Sequence, residues 1–315
     1  RLDQMKQGTI GQPIPRVEGL AKVTGTAPYA AEYPVDGCAE GVLVTATITR
    51  GEIVRIDKDS VLDRPGVIAV IDDERLTTRA AQGTANEAPQ QSPQTVCYWG
   101  QPIALVVAET FEQARDAAKH LVVEYREEPG APLFPAEVEA EEQEDETVRQ
   151  GDLAQAMSAA AHSVDVTYTT KGHASAAMEP HAAIAEWDGE KLTVHASLQM
   201  LNYNITELAD SLGLEEDKVR LVSRFVGGGF GSKLGISEET VAASLAAMEL
   251  GRPVRVVMSR QQVFQCIMRR SETTQRLRLA ADADGRLTGF GHEALVSNLP
   301  GETFAEPVLQ SSPFL

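Results

Sequence analysis

The stretch Phe225-Val226-Gly227-Gly228-Gly229-Phe230-Gly231-Ser232-Lys233 places four glycines around one aromatic residue, directly after a β-like run at 219–222. Glycine is retained in ordered structure where the backbone needs a positive φ or must approach another group closely. The stretch therefore predicts a loop that presents backbone amides to a ligand, with Phe230 packed beside that ligand. A glycine-rich turn around a packed phenylalanine is the alternative, and the pattern alone leaves both open.

Two familiar phosphate-binding loops do not fit this spacing. A dinucleotide-binding turn requires G-x-G-x-x-G, and Ser232 stands where the third glycine belongs. A P-loop requires glycine directly before Lys-Ser/Thr, whereas the order here is Gly231-Ser232-Lys233. The loop is therefore expected to bind a ligand of another kind.

The overall charge limits the class of partner. The chain has 315 residues with 28 Lys plus Arg and 46 Asp plus Glu, which gives a formal net charge of −18. That charge argues against nucleic acid or an anionic membrane as the main partner. No apolar stretch reaches transmembrane length, and no signal peptide opens the chain. Because the chain begins at Arg1, an upstream piece with any targeting peptide is expected to be missing.

The three cysteines, Cys38, Cys97 and Cys266, are widely spaced and form no CxxC motif. The spacing argues against a bound iron–sulfur cluster or structural zinc, and the odd count favours reduced, buried thiols. We therefore expect a cytoplasmic location, with a periplasmic one open through a partner's signal. No flavin or nicotinamide fingerprint occurs, so in a redox enzyme the electrons must leave through other subunits.

The order of strand and helix patterns predicts an α+β fold in two domains. Residues 1–18 are expected to form an extended arm, 19–128 an α+β domain, 129–150 a linker and 151–315 a second domain. Seven of the ten residues from Glu137 to Glu146 are acidic, which is typical of a solvated connector.

Periodicity, capping residues and Asp-Gly turns predict the individual elements. The predicted strands are Val42–Ile48, Val67–Ile71, Ile103–Val107, Val122–Tyr125 and Val219–Val222, with hairpins that pair Ala182–Glu186 with Leu192–Leu198 and Arg276–Ala280 with Leu287–Glu293. The predicted helices are Phe111–Leu121, a helix capped by Asp152 that runs to Ala160, Asn204–Leu212, and a helix capped by Ser237 that runs to Leu250. The glycine-rich loop therefore leads into a helix N-terminus, where free amides can meet an anion.

Four further segments accompany the glycine-rich loop, and all five occur in a fixed order along the chain. The four are Gly11–Gly19 with Lys22–Gly25, Gly100–Ala104, Met178–His181 and Gly251–Arg255. Together they resemble the molybdenum-binding subunit of the xanthine dehydrogenase/aldehyde oxidase family, and most of all its bacterial aldehyde or isoquinoline oxidoreductase members. The resemblance implies a hammerhead-like α/β domain at 19–128 and part of a molybdopterin-binding α+β domain, incomplete at its C-terminus, at 151–315.

The resemblance also implies a cofactor-binding loop. Gly228, Gly229, Phe230 and Gly231 match the family's loop beside the metal, where an amide donates to an oxygen ligand of the metal and the aromatic ring lines the substrate pocket. No protein side chain ligates the metal in this family, so no metal ligand is expected. The structural alternative is a tight turn with a core phenylalanine.

Two residues match catalytic positions of the family less closely. A polar side chain upstream of the loop, often glutamine, hydrogen-bonds an oxygen ligand of the metal, and we assign this position to His173. A pocket arginine contacts the substrate, and we assign it to Arg270, although serine follows it where aldehyde-type members have proline. Each has a structural alternative: a structural histidine, and a solvated or ion-paired arginine. Glu179 and His181 are expected to be buried, hydrogen-bonded scaffold.

The resemblance predicts that this chain is part of a larger catalytic unit. Subunits of this family are more than twice as long, and their C-terminal half supplies a glutamate base and Gly-Gln-Gly loops that contact the pterin. Neither feature is found at a matching position here. The chain is therefore expected to be truncated or cleaved, or to work with a separate C-terminal molybdopterin-binding chain.

The implied function is hydroxylation of an aldehyde or an electron-poor N-heterocycle with oxygen derived from water. The implied cofactor is molybdenum on molybdopterin, in the cytosine dinucleotide form, with [2Fe–2S] clusters and FAD on partner subunits. Two alternatives remain: a non-catalytic scaffold or cofactor-binding fragment of the same fold, and a glycine-rich-loop binding protein unrelated to molybdenum.

Overall fold

The computed structural model describes residues 11–76, 92–129 and 147–297 and shows mixed helices and strands, which confirms the predicted α+β class. Its strands are β1 (Ala39–Thr45), β2 (Gly51–Asp57), β3 (Val67–Ile71), β4 (Thr95–Val96), β5 (Pro102–Ala108), β6 (Val122–Glu127), β7 (His162–Thr170), β8 (Ala182–Trp187), β9 (Leu192–Ala196), β10 (Val219–Val222), β11 (Val254–Val257), β12 (Thr273–Ala281) and β13 (Leu287–Val296). Its α-helices are α1 (Gly19–Val23), α2 (Asp59–Leu62), α3 (Phe111–His120), α4 (Leu153–Ala159), α5 (Leu201–Leu212), α6 (Glu238–Leu250) and α7 (Arg260–Cys266). The acidic run at 137–146 lies outside the described residues.

A seven-stranded sheet in the order β10-β9-β8-β11-β1-β5-β3 forms the centre of the molecule. Strands β1, β3 and β5 precede the predicted linker and the other four follow it. The two groups meet where β1 and β11 pair in parallel, with Gly41 opposite Val256. A Cβ at Gly41 would lie 2.8 Å from Val256 Cγ2 and 3.1 Å from Leu105 Cδ1, so only glycine fits this crossing without a shift. The predicted division into two domains stays a prediction. In the structure, the central sheet contains strands from both sides of the predicted linker.

Helix α6 lies under this sheet and is buried on almost every side. Its first ten residues, 238–247, are all buried, and it packs on β8 and β11. It ends at Gly251, whose φ of 59° is the left-handed C-cap conformation that glycine adopts without a steric penalty. Ser237 occupies the N-cap as predicted, but its side chain makes no capping hydrogen bond, so the prediction that it caps the helix is wrong in that respect.

A second, smaller core lies between the sheet β4-β2-β6, the neighbouring face of the central sheet and α3. Helix α3 begins as its sequence predicts, because Thr110 and Gln113 form a reciprocal capping box. Its apolar face contributes Ala117 and Ala118 to this core. Strand β2 was not predicted, because its burial pattern does not alternate.

The third sheet, β13-β12-β7, is antiparallel and stands apart from both cores. Its predicted hairpin is present with Gly285 at φ 81°, but both strands are longer than predicted. Helix α4 packs on it and is capped as predicted, since Gln155 N donates to Asp152 Oδ1 at 2.9 Å. Strand β7 was not predicted.

Three other predictions need correction. The first strand is Ala39–Thr45 rather than Val42–Ile48, because its pairing with β5 shifts register after Val44. Helix α5 begins at Leu201 rather than Asn204, because Asn204 N already donates to Met200 O at 3.0 Å. None of the three cysteines forms a disulfide among the described residues, but only Cys266 is buried, so the expectation of buried thiols is wrong for the other two.

Candidate functional site

The glycine-rich loop connects β10 to α6 and holds an exposed aromatic residue in an unusual backbone conformation. Phe230 has a φ of 53°, and only one other non-glycine residue among the described ones, Ala176, has a positive φ. The side chain of Phe230 is 79 % exposed, so it is not a core phenylalanine. Left-handed backbone at non-glycine residues costs about 1–3 kcal/mol and concentrates at ligand-binding and active sites.

Three consecutive amides at the tip of this loop are available to a ligand. Within the described part of the chain, the N–H groups of Gly228, Gly229 and Phe230 have no hydrogen-bond partner. The flanking amides are paired: Gly227 N donates to Glu179 Oε2 at 2.6 Å and Gly231 N donates to Gln199 Oε1 at 3.1 Å. Successive free amides in a tight turn form a concave donor set that suits an anion or an oxygen ligand.

Gln199 lies directly against the loop. Its Oε1 accepts from Gly231 N at 3.1 Å and from Lys233 N at 3.3 Å, and its own backbone N donates to Lys233 O at 2.8 Å. A Cβ at Gly229 would lie only 2.2 Å from Gln199 Oε1, and the φ of Gly229 is not positive. A side chain at position 229 would therefore require Gln199 or the loop to shift, because of this close approach rather than because of the backbone angle.

A buried ion pair ties the two ends of the loop together. Lys233 is completely buried, and its Nζ donates to Glu179 Oε2 at 3.0 Å, to Glu179 O at 3.1 Å and to Ser197 Oγ at 2.9 Å. These three bonds use all three donors of the ammonium group. Glu179 Oε2 also accepts from Gly227 N and, at 2.6 Å, from Ser197 Oγ. One carboxylate therefore binds Gly227, at the first glycine of the loop, and Lys233 on the far side of Phe230.

The same carboxylate reaches the N-terminal part of the chain. Glu179 Oε1 accepts from Ala30 N at 3.3 Å, in the short 3₁₀ helix Ala30–Glu32. The neighbouring Tyr29 ring lies 6.1 Å from the Phe225 ring at the start of the loop. The loop is therefore supported by residues that are about 200 positions earlier in the sequence.

The segment Ser175–Met178 packs beside the loop. Ser175 Oγ donates to Ser232 Oγ at 2.5 Å, and a Cβ at Gly228 would lie 3.2 Å from Ala177 Cβ. Arg260 of α7 holds this segment by donating to Ala177 O at 2.6 Å and to Met178 O at 2.9 Å. The two residues with strained backbone, Ala176 and Phe230, thus lie in adjacent segments.

The two residues predicted to be catalytic lie next to each other. His173 N donates to Arg270 O at 3.0 Å and Arg270 N donates to His173 O at 2.9 Å, which forms an antiparallel β-bridge. Both residues are exposed. Among the described residues no hydrogen bond joins the His173 side chain to the loop, whereas the Gln199 side chain makes two such bonds.

His181 is buried scaffold, as predicted for it and for Glu179. Its Nε2 lies 3.0 Å from Ser232 O, which places a proton on Nε2 because a carbonyl oxygen only accepts. The pKa of His181 is lowered from 6.5 to about 4. Burial is the main cause, and the nearby Lys233 charge also lowers it. The ring is therefore neutral at pH 7 and does not act as a charged group there.

A buried carboxyl group lies beyond the loop, at the first turn of α6. Burial and the neighbouring Glu238 charge raise the pKa of Glu239 from 4.5 to about 7. Its Oε1 accepts from Thr240 Oγ1 at 3.0 Å, and no partner of its Oε2 occurs among the described residues. Glu239 thus holds a proton over a pH range in which an exposed carboxyl group would have lost it.

Several of these residues escaped the sequence analysis. Gln199, Lys233, Ser197 and Arg260 were not assigned any role, although Gln199 has a usable signal: it is a glutamine that follows a strand upstream of the loop. In the described part of the chain no cluster of three or more His, Cys, Asp or Glu residues could hold a metal ion. No helix there is both long and apolar enough to cross a bilayer.

Comparison with known proteins identifies two matching family models. Residues 24–129 match the a/b hammerhead domain of aldehyde oxidase and xanthine dehydrogenase. Residues 136–314 match the molybdopterin cofactor-binding domain. The second match alone covers more than half of the chain.

Individual relatives show the same similarity. The chain is 39 % identical to the aldehyde oxidoreductase molybdenum-binding subunit PaoC of Escherichia coli (strain K12), over 98 % of this chain and 43 % of that protein. It is 30 % identical to the nicotinate dehydrogenase large molybdopterin subunit of Eubacterium barkeri, over 88 % of this chain and 68 % of that protein. The crystal structure of quinoline 2-oxidoreductase from Pseudomonas putida 86 superposes with a TM-score of 0.81 at 26 % identity, over 92 % of this chain and 40 % of that one.

These matches each cover most of this chain. The chain spans less than half the length of the E. coli relative, and the matched relatives and the structure share its loop-bearing domain. Because both family models, the relatives and the fold agree with the five sequence segments, the chain belongs to the family of molybdenum-binding subunits of aldehyde oxidase and xanthine dehydrogenase type.

Proposed function

We propose that this chain is the loop-bearing part of a molybdenum hydroxylase, which oxidises an aldehyde or an N-heterocycle with oxygen derived from water. The observation that carries the proposal is the run of three unpaired amides at Gly228, Gly229 and Phe230 beside an exposed aromatic ring. The names of the relatives support the substrate classes, since they include an aldehyde oxidoreductase and enzymes that act on nicotinate and quinoline.

The residues present fit a molybdopterin cofactor. The loop offers amide donors without competing side chains, and a Cβ at Gly231 would meet nothing within 4 Å, which leaves room on that side of the loop. The cofactor would supply the oxidising metal. The chain would contribute the amides of Gly228, Gly229 and Phe230 to hold polar groups of the metal site, and the Phe230 ring to orient a planar substrate and exclude water.

Gln199 fits the role of the polar side chain near the metal better than His173. Its Oε1 already accepts from two loop amides, and no partner of its Nε2 group occurs among the described residues, so this group is available as a donor. His173 and Arg270 remain candidates for the substrate side of the pocket, because their backbone bridge places two exposed polar side chains together. Arginine in such a position suits contact with a substrate oxygen.

The proposal includes several partners. We propose that a C-terminal molybdopterin-binding segment or chain supplies the base. We also propose an iron–sulfur subunit and an FAD subunit as partners, the cytosine dinucleotide form of the cofactor, and a cytoplasmic location. This chain matches 43 % of the E. coli relative, which supports a C-terminal segment in the same polypeptide. It matches 68 % of the E. barkeri relative, which supports a C-terminal part on a separate chain. We also retain the division into an arm, a hammerhead-like domain at 19–128, a linker and a cofactor domain from residue 151.

The test uses the full-length subunit in its assembled complex. Gly229→Ala introduces a Cβ 2.2 Å from Gln199 Oε1, so the Gln199 side chain or the loop must move and the bonds from Gly231 N and Lys233 N to Gln199 Oε1 are disturbed; we expect turnover to fall about 100-fold. Gly172→Ala is the matched control, because its Cβ would meet nothing closer than 3.6 Å and its φ is not positive. Molybdenum content, melting temperature and turnover are measured on the same samples.

The outcomes separate the alternatives. Loss of turnover or molybdenum at an unchanged melting temperature, with an unaffected Gly172→Ala control, supports the proposal. Full turnover in a folded, molybdenum-replete Gly229→Ala complex contradicts the assignment of the loop. Absence of molybdenum from the folded wild-type complex contradicts the proposed function itself and favours a non-catalytic scaffold.

A further inference from the structure

The short segment Tyr29–Tyr33 packs on the face of the central sheet opposite α6. Alternate residues of β9 belong to the core that contains α6, so His195 between them points to the opposite face. The 3₁₀ helix Ala30–Glu32 packs there, on β8, β9 and β11. Its ends are joined, because Tyr29 N donates to Glu32 Oε2 at 2.9 Å and Glu32 N donates to Tyr29 O at 2.8 Å. The segment is therefore one closed turn.

One end of this segment touches the glycine-rich loop. A Cβ at Gly227 would lie 3.3 Å from Tyr29 Cε1, and the Tyr29 ring lies 6.1 Å from the Phe225 ring. The next residue, Ala30, donates its N–H to Glu179 Oε1 at 3.3 Å, and the other oxygen of that carboxylate accepts from Gly227 N. The segment thus contacts the start of the loop directly and also through Glu179.

The other end of the segment is anchored on β9 by a ring contact. The centroids of the Tyr33 and His195 rings lie 4.2 Å apart at an interplanar angle of 31°, which is a stacked arrangement. His195 Nε2 lies 3.4 Å from Glu186 Oε1 on β8, which orients the histidine ring. The Tyr33 hydroxyl and His195 Nδ1 are buried and have no hydrogen-bond partner among the described residues. The anchor is therefore the ring stack and not a hydrogen bond.

The strand that carries this anchor leads directly to the other supports of the loop. Ser197 and Gln199 follow His195 at every second position. Ser197 Oγ donates to Glu179 Oε2 at 2.6 Å, and Gln199 Oε1 accepts from Gly231 N at 3.1 Å. The stack on His195 therefore joins the segment Tyr29–Tyr33 to the same stretch of chain that holds both sides of the loop.

We propose that Tyr33 is a positioning residue for the glycine-rich loop. Its stack on His195 fixes the segment Tyr29–Tyr33, and this segment fixes Glu179 and the first glycine of the loop. Tyr33 acts through Tyr29 and Ala30, the two residues of the segment that contact the loop and its carboxylate support. The inference deepens the proposed function and rests on it only where turnover is measured.

The test compares four variants of the full-length subunit in its assembled complex. Tyr33→Ala removes the stack, whereas Tyr33→Phe keeps it and loses only a hydroxyl that has no partner among the described residues. Tyr125→Ala is the matched control, because Tyr125 is also half-buried but packs on the second, smaller core. His195→Val removes the stack from the other side and replaces Tyr33→Ala if that variant does not fold.

Hydrogen exchange, followed by mass spectrometry, reports on the loop directly. In the peptide 225–234 the amides of Gly227, Gly231 and Lys233 are hydrogen-bonded to Glu179 or Gln199. We expect these amides to exchange about tenfold faster in Tyr33→Ala, with exchange in β12 unchanged, because local opening need not change global stability. We expect kcat to fall about tenfold in the same variant. Tyr33→Phe should match the wild type, and Tyr125→Ala should lower the melting temperature without changing exchange in the loop.

Each outcome decides the question. Faster exchange confined to the loop in Tyr33→Ala or His195→Val, with recovery in Tyr33→Phe, supports the proposal. Unchanged loop exchange in these variants overturns it, as does equal acceleration in β12 or in Tyr125→Ala. A Tyr33→Phe variant that behaves like Tyr33→Ala also overturns it. Molybdenum content of the wild type tests the proposed function separately: faster loop exchange in a complex without molybdenum leaves this inference standing, and unchanged exchange in a molybdenum-replete complex refutes it alone.

Discussion

Replacing Lys233 by methionine removes the charge from the buried ion pair while it keeps most of the side-chain volume. The ammonium group donates to Glu179 Oε2, Glu179 O and Ser197 Oγ, so all three acceptors lose a partner. Glu179 then remains buried as an uncompensated carboxylate with amides of Ala30 and Gly227 as its remaining backbone donors. Breaking a buried pair in this way costs about 3–5 kcal/mol, and we expect Lys233→Met to lose that much unfolding free energy.

The double variant shows whether the loss arises from the pair. Glu179→Gln alone keeps an acceptor but cannot balance the Lys233 charge, and we expect a loss of about 2–4 kcal/mol. In Lys233→Met with Glu179→Gln no charge is left buried, so the combined loss should be smaller than the sum of the single losses by about 1–3 kcal/mol. Urea unfolding of the three variants and the wild type at pH 7 measures these values. A loss below about 1 kcal/mol for Lys233→Met, or strict additivity in the cycle, would refute the reasoning.

Three other predictions concern pH and packing. The pKa of His181 falls from 6.5 to about 4 on folding, so the unfolded state binds more protons between these values, and the contribution of His181 to stability should decrease by up to about 3 kcal/mol as the pH falls from 6.5 to 4. In urea unfolding, the stability of His181→Gln relative to the wild type should therefore rise between pH 7 and pH 5. The pKa of Glu239 rises from 4.5 to about 7, so the contribution of Glu239 to stability should decrease by up to about 3 kcal/mol as the pH rises through that range; Glu239→Gln should be more stable than the wild type at pH 8 and should not be at pH 4. Gly41→Val should lower the unfolding free energy by about 3 kcal/mol or more, because its Cβ would lie 2.8 Å from Val256 Cγ2 and valine adds two further methyl groups there. A melting temperature within about 2 °C of the wild type would contradict the β1–β11 crossing.

The two titrations oppose each other in the wild type. Between pH 4.5 and pH 6.5, acidification weakens the fold through His181 and strengthens it through Glu239. The wild-type stability is therefore expected to vary little in this range, and only the two variants expose the separate contributions. A wild-type profile whose slope is unchanged in both variants would show that other groups dominate.

Local sequence signals predicted much of the fold. Asp-Gly turns located the hairpins, Asp152 capped its helix, and Gly251 ended α6. The signals that failed are those that depend on distant partners. The pairing of β1 with β11 joins residues about 215 positions apart, and nothing in either strand specifies the other. Strand β7 was missed because it is largely exposed, although Val164, Val166 and Tyr168 do alternate.

The candidate site was predicted in its loop but not in its supports. The glycine pattern identified Gly228 to Gly231 because backbone demands are local and visible in the sequence. Gln199 was not singled out because its contact with the loop depends on where β9 ends relative to the loop. The assignment of His173 stays a prediction. In the structure, His173 contacts Arg270 and Gln199 contacts the loop.

The position of the loop explains why segments so far apart in the sequence accompany it. Glu179, in the segment Met178–His181, binds Gly227 and Lys233 of the loop and Ala30 N just after the first segment. Strand β11 follows directly on Gly251–Pro253 and pairs with β1, while Gly100 packs against Gln265 of α7, the helix whose Arg260 holds Ala177 and Met178. The segments Met178–His181, Gly100–Ala104 and Gly251–Arg255 thus each support either the loop or an element next to it. A change in one of these three is therefore expected to alter the loop, which receives contacts from both sides of the predicted linker.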